Sequence, residues 1–259
     1  MIEPSVQLYR YMSFDQFLQI VFTKKITAVR PCKWNDSFEQ YWLKYLNTTE
    51  GNNKLEDYVK ESIVQEEYVP NTAAQLKSLV NTLYRITFGI CFTEAEDEEL
   101  MWRAANTDDR TVMIITDAGQ ITRVGEKNAM FGTVLERIHY DLEVHSGIED
   151  LLNKFGFGAG AAILNDPLDL ILHKRKCFSY EKEVRFLFTP DNIAGLQDAD
   201  GRDKELYDLE IPDLNDFIKG VMVCPTTKDR HARLVEEICK HFSLNYLGKS
   251  ALYDFRVLK

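Results

Sequence analysis

Residues 178–188 read FSYEKEVRFLF, a strand-like aromatic run with four charged side chains in its middle. Side chains alternate between the two faces of a strand. One face then carries Phe178, Tyr180, Lys182, Val184, Phe186 and Phe188, and the other carries Ser179, Glu181, Glu183, Arg185 and Leu187. The first face reads as core, with Lys182 as its exception. The second sets acid, acid and base in a row, each about 7 Å from the next. As the floor of a cleft, such a row would steady a cation, handle a proton or hold a metal ion. As a half-exposed ladder of salt bridges it would do nothing further, and both readings stand.

Other chemistry-bearing patterns are weaker. Asn35-Asp36 in WNDSFEQ (34–40) makes a good turn and helix N-cap, with Trp34, Phe38, Tyr41 and Trp42 crowding the turns that follow. Thr93 ends the run CFT just before LMWRAA (100–105), so it either caps a helix or stands at a strand end beside a pocket. Glu183-Val184-Arg185 has the spacing of the E-x-K half of a nuclease metal site, but arginine gives up a proton too reluctantly to replace that lysine. Gly156-x-Gly158-x-Gly160 lacks the third glycine of a dinucleotide fingerprint and follows a helical pattern. There is no H-E-x-x-H and no G-x-S-x-G, and Cys239-x-His241 is a pair too few for zinc.

The chain is 259 residues long and 45% hydrophobic, enough for one large domain. Its net charge of −10 lacks the basic footprint of a nucleic-acid binder. The five cysteines are scattered, which favours a reducing, cytoplasmic setting. The polar start MIEPSVQLYR argues against a signal peptide, and no apolar run approaches a membrane span of about 20 residues.

The elements that must position these residues alternate irregularly. Strands are expected at 8–11, 26–31, 85–93, 111–117, 133–143, 178–188, 206–211 and 218–225, with a closing segment at 245–255. Helices are expected after Ser13, after Asn35-Asp36, as two patterns within 54–84 split at Pro70-Asn71, at 94–105, across most of 146–176 and at 231–242. QDADGRDKE (197–205) reads as a surface hairpin or loop. The alternation is not strict βαβ, so the fold class is α+β, a mixed and mainly antiparallel sheet flanked by helices. A single domain over 1–259 is expected, with a helical insertion around 40–84.

Several segments, in order, carry a resemblance: LYRYMSFDQFLQIVFTKKI, RPCKWNDSFE, GICFTEAEDEELMW, YEKEVRF, IKGVMVCPTT and a late GKSAL. The series resembles the bacterial domain of unknown function 2971 over nearly the whole chain. After Met-Trp that family continues with a polar-aromatic run ending in Tyr, whereas this chain reads RAANT. A more remote resemblance is to ADP-ribosyltransferase-like proteins, including toxins that modify DNA bases. Those carry an Arg or His on an early strand, a polar or aromatic residue on a middle strand and a Glu on a late one, here Tyr9-Arg10, Thr93 and Glu183.

This second resemblance implies a split sheet, and NAD as a substrate rather than a covalently bound cofactor. Arg10 would pair with the pyrophosphate, Glu183 would stabilise the oxocarbenium-like cation, and Glu181 would orient the acceptor. Tyr180 or Trp102 would stack on nicotinamide, and Arg185 would hold Glu181 or Glu183 ionised. Tyr9, Asn35, Asp36 and Thr93 complete the ligand-binding set. Two alternatives remain open: a nucleotide- or peptide-binding module without turnover, and a metal-dependent nuclease or hydrolase built on Asp36, Glu39, Glu181 and Glu183. A nucleic acid enters only as an acceptor, no membrane partner is expected, and the oligomeric state is left open.

Overall fold

A computed structural model describes residues 2–34, 39, 44–62, 69–105, 109–140, 155–158, 161–164, 167–197 and 202–254. In chain order the elements are β1 (Gln7–Met12), α1 (Phe14–Thr23), β2 (Lys25–Val29), α2 (Thr49–Ser62), α3 (Val69–Ile86), β3 (Phe88–Thr93), α4 (Glu99–Ala105), β4 (Val112–Asp117), α5 (Ala118–Lys127), β5 (Met130–Arg137), β6 (Phe155–Gly158), β7 (Ala161–Leu164), β8 (Glu183–Pro190), β9 (Leu206–Glu210), α6 (Leu214–Phe217), β10 (Gly220–Val223), α7 (Asp229–His241) and β11 (Tyr246–Lys249). The fold is α+β, with helices flanking a mixed, mainly antiparallel sheet. Among the described residues, no helix is long and apolar enough to cross a membrane.

The main sheet runs β11-β10-β4-β1-β3-β2-β9, with β8 joined to β3 and β5 joined to β8. Among the described strands of the sheet, β10 and β11 run parallel and the other pairs antiparallel. One edge of β3 pairs along its whole length with β8, from Phe88↔Phe188 to Thr93↔Glu183. Its other edge meets β1 only at Tyr9↔Thr93 and β2 only at Val29↔Gly89. Between those two points the ladder is open and the sheet forks. β1 continues instead on its far side, paired with β4 from Gln7↔Asp117 to Met12↔Val112.

Local chemistry explains how the fork is held. Ser13 and Gln16 form a reciprocal capping box, at 3.2 and 3.1 Å, which starts α1 directly after β1. Phe14, Phe17, Ile20 and Val21 then bury one stripe of α1 against the sheet, together with Leu8 and Met12 of β1. Lys24, left-handed at φ 54°, ends the helix and turns the chain into β2. β4 is buried on both faces: Val112 and Ile114 join that core, while Met113 and Ile115 pack with Tyr9 and Trp102 on the other side. A further core lies where Leu55, Val59, Leu76 and Val80 of α2 and α3 meet Leu187 of β8. Pro70 falls in the first turn of α3, where its missing N–H costs nothing.

Two expected elements are replaced. Residues 178–188 do not form one strand: Lys176–Glu181 wind as a 3-10 turn, Lys182 is left-handed at φ 40°, and β8 begins at Glu183. Phe178 and Tyr180 therefore leave the core face that alternation assigns them. The main chain of the turn is pinned from β3, where Thr93 Oγ1 donates to the Glu181 carbonyl and the Glu94 amide donates to the Lys182 carbonyl. The helix expected across most of 146–176 is also replaced where residues are described. Phe155–Gly158 pair antiparallel with Ala161–Leu164, and Pro167–Ile171 form a 3-10 turn. The helix expected from residue 94 begins at Glu99, because Thr93 Oγ1 accepts from the Ala95 amide and holds that stretch as a turn.

Candidate functional site

The fork opens a cleft of about 800 Å³. Tyr9, Thr93 and Glu183 lie side by side across β1, β3 and β8 at its closed end. Arg10 is the next residue along β1, where the ladder to β3 has ended. Its Nη1 donates to the Cys91 carbonyl at 2.6 Å, and its guanidinium lies 5.8 Å from the centre of the Phe92 ring. Arg10 Nε is buried and has no partner among the described residues. A buried donor left open in this way is costly unless a ligand or water meets it. Met101 and Ala105 of α4 line the cleft on one side, and Lys174, Glu181 and Glu39 on another.

The acidic residues of the cleft are gathered around two cations. Lys174 Nζ lies 3.2 Å from Glu39, 2.5 Å from Glu181 and 3.0 Å from Glu183. Arg185 is 1% exposed. Its Nε donates to Glu183 Oε1 at 2.7 Å and its Nη1 to the Ile171 carbonyl at 2.5 Å, while Nη2 donates to Glu39. The Trp34 ring covers the guanidinium at 4.2 Å. That stacking depends on Gly89, because a Cβ there would come within 2.7 Å of Trp34 and 2.8 Å of Leu187. Three carboxylates thus face two cations in a largely buried site.

The main chain sets this cluster. Lys174 is carried by a short bridge in which the His139 amide donates to the Leu172 carbonyl and the Lys174 amide to the His139 carbonyl, at 2.8 and 2.9 Å. The Glu183 amide donates to Tyr140 Oη at 2.7 Å. The left-handed Lys182 bends the chain so that Glu181 and Glu183 reach the same ammonium.

The two carboxylates of the pair titrate differently. Burial raises Glu181 above its ordinary value, and Lys174 only partly opposes this. Burial also works to raise Glu183, but attraction and hydrogen bonding from Arg185, with help from Lys174, bring it down to about 2 from an ordinary 4.5. The Cys91 thiol is pushed well up by burial and by Glu183, so it stays protonated.

A group with a lowered folded pKa stabilises the fold above its unfolded value and loses that contribution as pH falls through the folded one. The difference in urea midpoint between wild type and Glu183→Gln is therefore expected to be constant above pH 4.5 and to shrink as pH falls to about 2. A difference that does not vary across that window would mean that Glu183 is not held ionised.

The structure brings Tyr9, Arg10, Thr93, Glu181 and Glu183 to one cleft. Asn35 and Asp36 lie outside the described residues. Trp102 is not placed to stack on a ligand. It is 2% exposed, edge-on to Tyr11 at 4.8 Å, with its indole donating to Asp97 at 2.7 Å. Tyr180 does not line the cleft; the 3-10 turn presents Phe178 there instead, beneath Lys174 at 4.9 Å and Arg175 at 5.0 Å. Arg185 does not line the cleft either, and acts behind Glu183.

Reading the residues alone missed Lys174, which sits in the basic run HKRK (173–176) with nothing to set it apart. It named Glu39 only as part of a metal-binding set. Among the described residues no group of His, Cys, Asp and Glu is arranged to hold a metal ion. The point where Glu39, Glu181 and Glu183 converge is taken by the Lys174 ammonium.

No family model matches the chain, so the resemblance to domain of unknown function 2971 has no matching model behind it. No curated protein matches it. Among solved structures, Thermus sp. 2.9 DarT in complex with ADP-ribosylated ssDNA aligns over 95% of this chain and 94% of its own, at 12% identity and a TM-score of 0.37. The same protein in complex with carba-NAD+ aligns over 96% and 95%, at 12% identity and a TM-score of 0.35. In complex with NAD+ it aligns over 95% of both chains, at 12% identity and a TM-score of 0.36.

Proposed function

We propose that the chain binds a nicotinamide dinucleotide in the forked cleft and transfers its ADP-ribosyl group to an acceptor nucleophile. One observation carries this reading: Tyr9, Thr93 and Glu183 stand in register across adjacent strands, and Arg10 and Glu181 open into the same hollow. Arg10, with an unpartnered Nε, suits a pyrophosphate, which a guanidinium fork meets through charge-assisted bonds.

The chemistry follows from the unequal carboxylates. The nicotinamide–ribose bond breaks with its electron pair leaving on the pyridine nitrogen, and the sugar is left as an oxocarbenium-like cation. Glu183, kept anionic by Arg185 and Lys174, stabilises that charge without titrating. The acceptor's lone pair closes the new bond to the sugar carbon, and its proton passes to Glu181, whose raised pKa suits a base.

Two observations bear on the alternatives. Both oxygens of Glu183 are already engaged by cations and the residue is 5% exposed, which favours a binding module without turnover. The metal-dependent alternative loses support because Lys174 fills the point its ion would take.

A thermal-shift titration with NAD, followed by chromatography for released nicotinamide, separates these readings. A saturable rise of roughly 5–10 °C at a hundredfold excess over Kd, with nicotinamide release, is the expected result. A rise without release selects the binding module. No rise with NAD, or heat on titration with magnesium or manganese, removes the proposal.

A further inference from the structure

We infer that Lys174 is a positioning residue: by sharing one ammonium among Glu39, Glu181 and Glu183 it holds the two cleft carboxylates together and both ionised. The inference rests on the proposed function only for what those carboxylates act upon. Glu183 and Glu39 each have a second cation in Arg185, so they remain compensated without the lysine. Among the described residues, the cation paired with Glu181 is Lys174. Removing Lys174 would leave three largely buried carboxylates with Arg185 bonded to two of them and Arg175 turned onto the Phe178 ring, and like charges so placed cannot all stay ionised. The proton would go to Glu181, the acid that Arg185 does not reach.

The surroundings support that assignment. On Glu183, Arg185 from β8 and the thiol of Cys91 from β3 both favour the ionised form. Tyr140, beyond β5, accepts from the Glu183 amide through its hydroxyl oxygen and brings no cation. Tyr180 and Phe178, on the 3-10 turn beside Glu181, bring no compensating charge, and the Phe178 ring lies against Lys174 itself. Glu39 adds negative charge from the segment ahead of α2. A neutral Glu181 could accept no proton from an acceptor, so loss of Lys174 would be read as a change in pH dependence as well as in rate.

The test uses the full chain and two readouts that need no substrate. Carboxyl carbon resonances of glutamate-labelled protein are followed against pH in wild type, Lys174→Met and Lys174→Arg. Glu181 is expected to titrate at a distinctly higher pH in Lys174→Met, and near its wild-type value in Lys174→Arg. A double-mutant cycle in urea covers the case in which Lys174→Met folds poorly, with Lys174→Met/Glu181→Gln expected to recover part of the lost stability. An unmoved Glu181 titration, or a double variant no more stable than Lys174→Met, overturns the inference. In turnover, Lys174→Met is expected to fall by about tenfold or more at the acid end of its pH profile relative to its alkaline rate, with Lys174→Arg keeping the wild-type profile. A wild type that neither binds nor cleaves NAD ends the functional proposal and leaves the titration and the cycle to decide Lys174.

Discussion

Replacing Glu183 by glutamine is expected to lower nicotinamide release by roughly 100- to 1000-fold while NAD affinity changes little. The amide keeps the size of the side chain, and its oxygen can still accept from Arg185, so the cleft should retain its shape. What disappears is the fixed negative charge beside the breaking bond. An interaction made only with the developing cation shows in the rate and not in ground-state binding. Measured against an unchanged far-ultraviolet dichroism spectrum, a rate within about tenfold of wild type would reduce Glu183 to a structural role. Equal losses in affinity and rate would point to a general disturbance of the cleft.

Arg185→Met is expected to lower stability by about 3–5 kcal/mol, the usual consequence of removing one member of a buried ionic network. Arg185 is fully buried and bonds two carboxylates and a main-chain carbonyl, so its loss leaves Glu39 and Glu183 facing only Lys174. The Trp34 ring would also lose the plane it stacks on. Lysine is a poor substitute, because one ammonium cannot reproduce the fork that meets Glu183 and Glu39 at once. Urea denaturation at neutral pH reads the effect. A loss below about 1 kcal/mol would mean that the carboxylates relax into solvent when the arginine goes.

Much of the frame was legible because it rests on local rules. The capped start of α1 at Ser13, the apolar strands β4 and β10 and a second helix entered through Pro70 follow from caps, apolar runs and proline placement. The juxtaposition of Arg10 with Glu183 is implied by the order of residues in the resemblance to ADP-ribosyltransferase-like proteins, and spacing alone does not give it. What stayed hidden depends on partners distant in the chain. Glu39 and Arg185 are 146 positions apart. The run 178–188 satisfies a strand's alternation perfectly well; it fails as a strand because Lys174 draws Glu181 inward and Thr93 pins the main chain behind it. The resemblance offers Trp102 as a ligand platform, and an aromatic on a helix serves burial and stacking alike. Only the packing of α4 on Tyr9 and Met113 decides between them.

The fork in the sheet has a consequence for how such a molecule can change over time. Its hollow exists because β3 withholds pairing from β1 and β2 between Thr93 and Gly89. Part of its lining is therefore peptide groups, which every amino acid brings along unaltered. Side chains around the opening can be exchanged in compensating sets while the gap itself persists. The shape of the chamber is inherited through strand order, whereas its chemistry is renegotiated residue by residue.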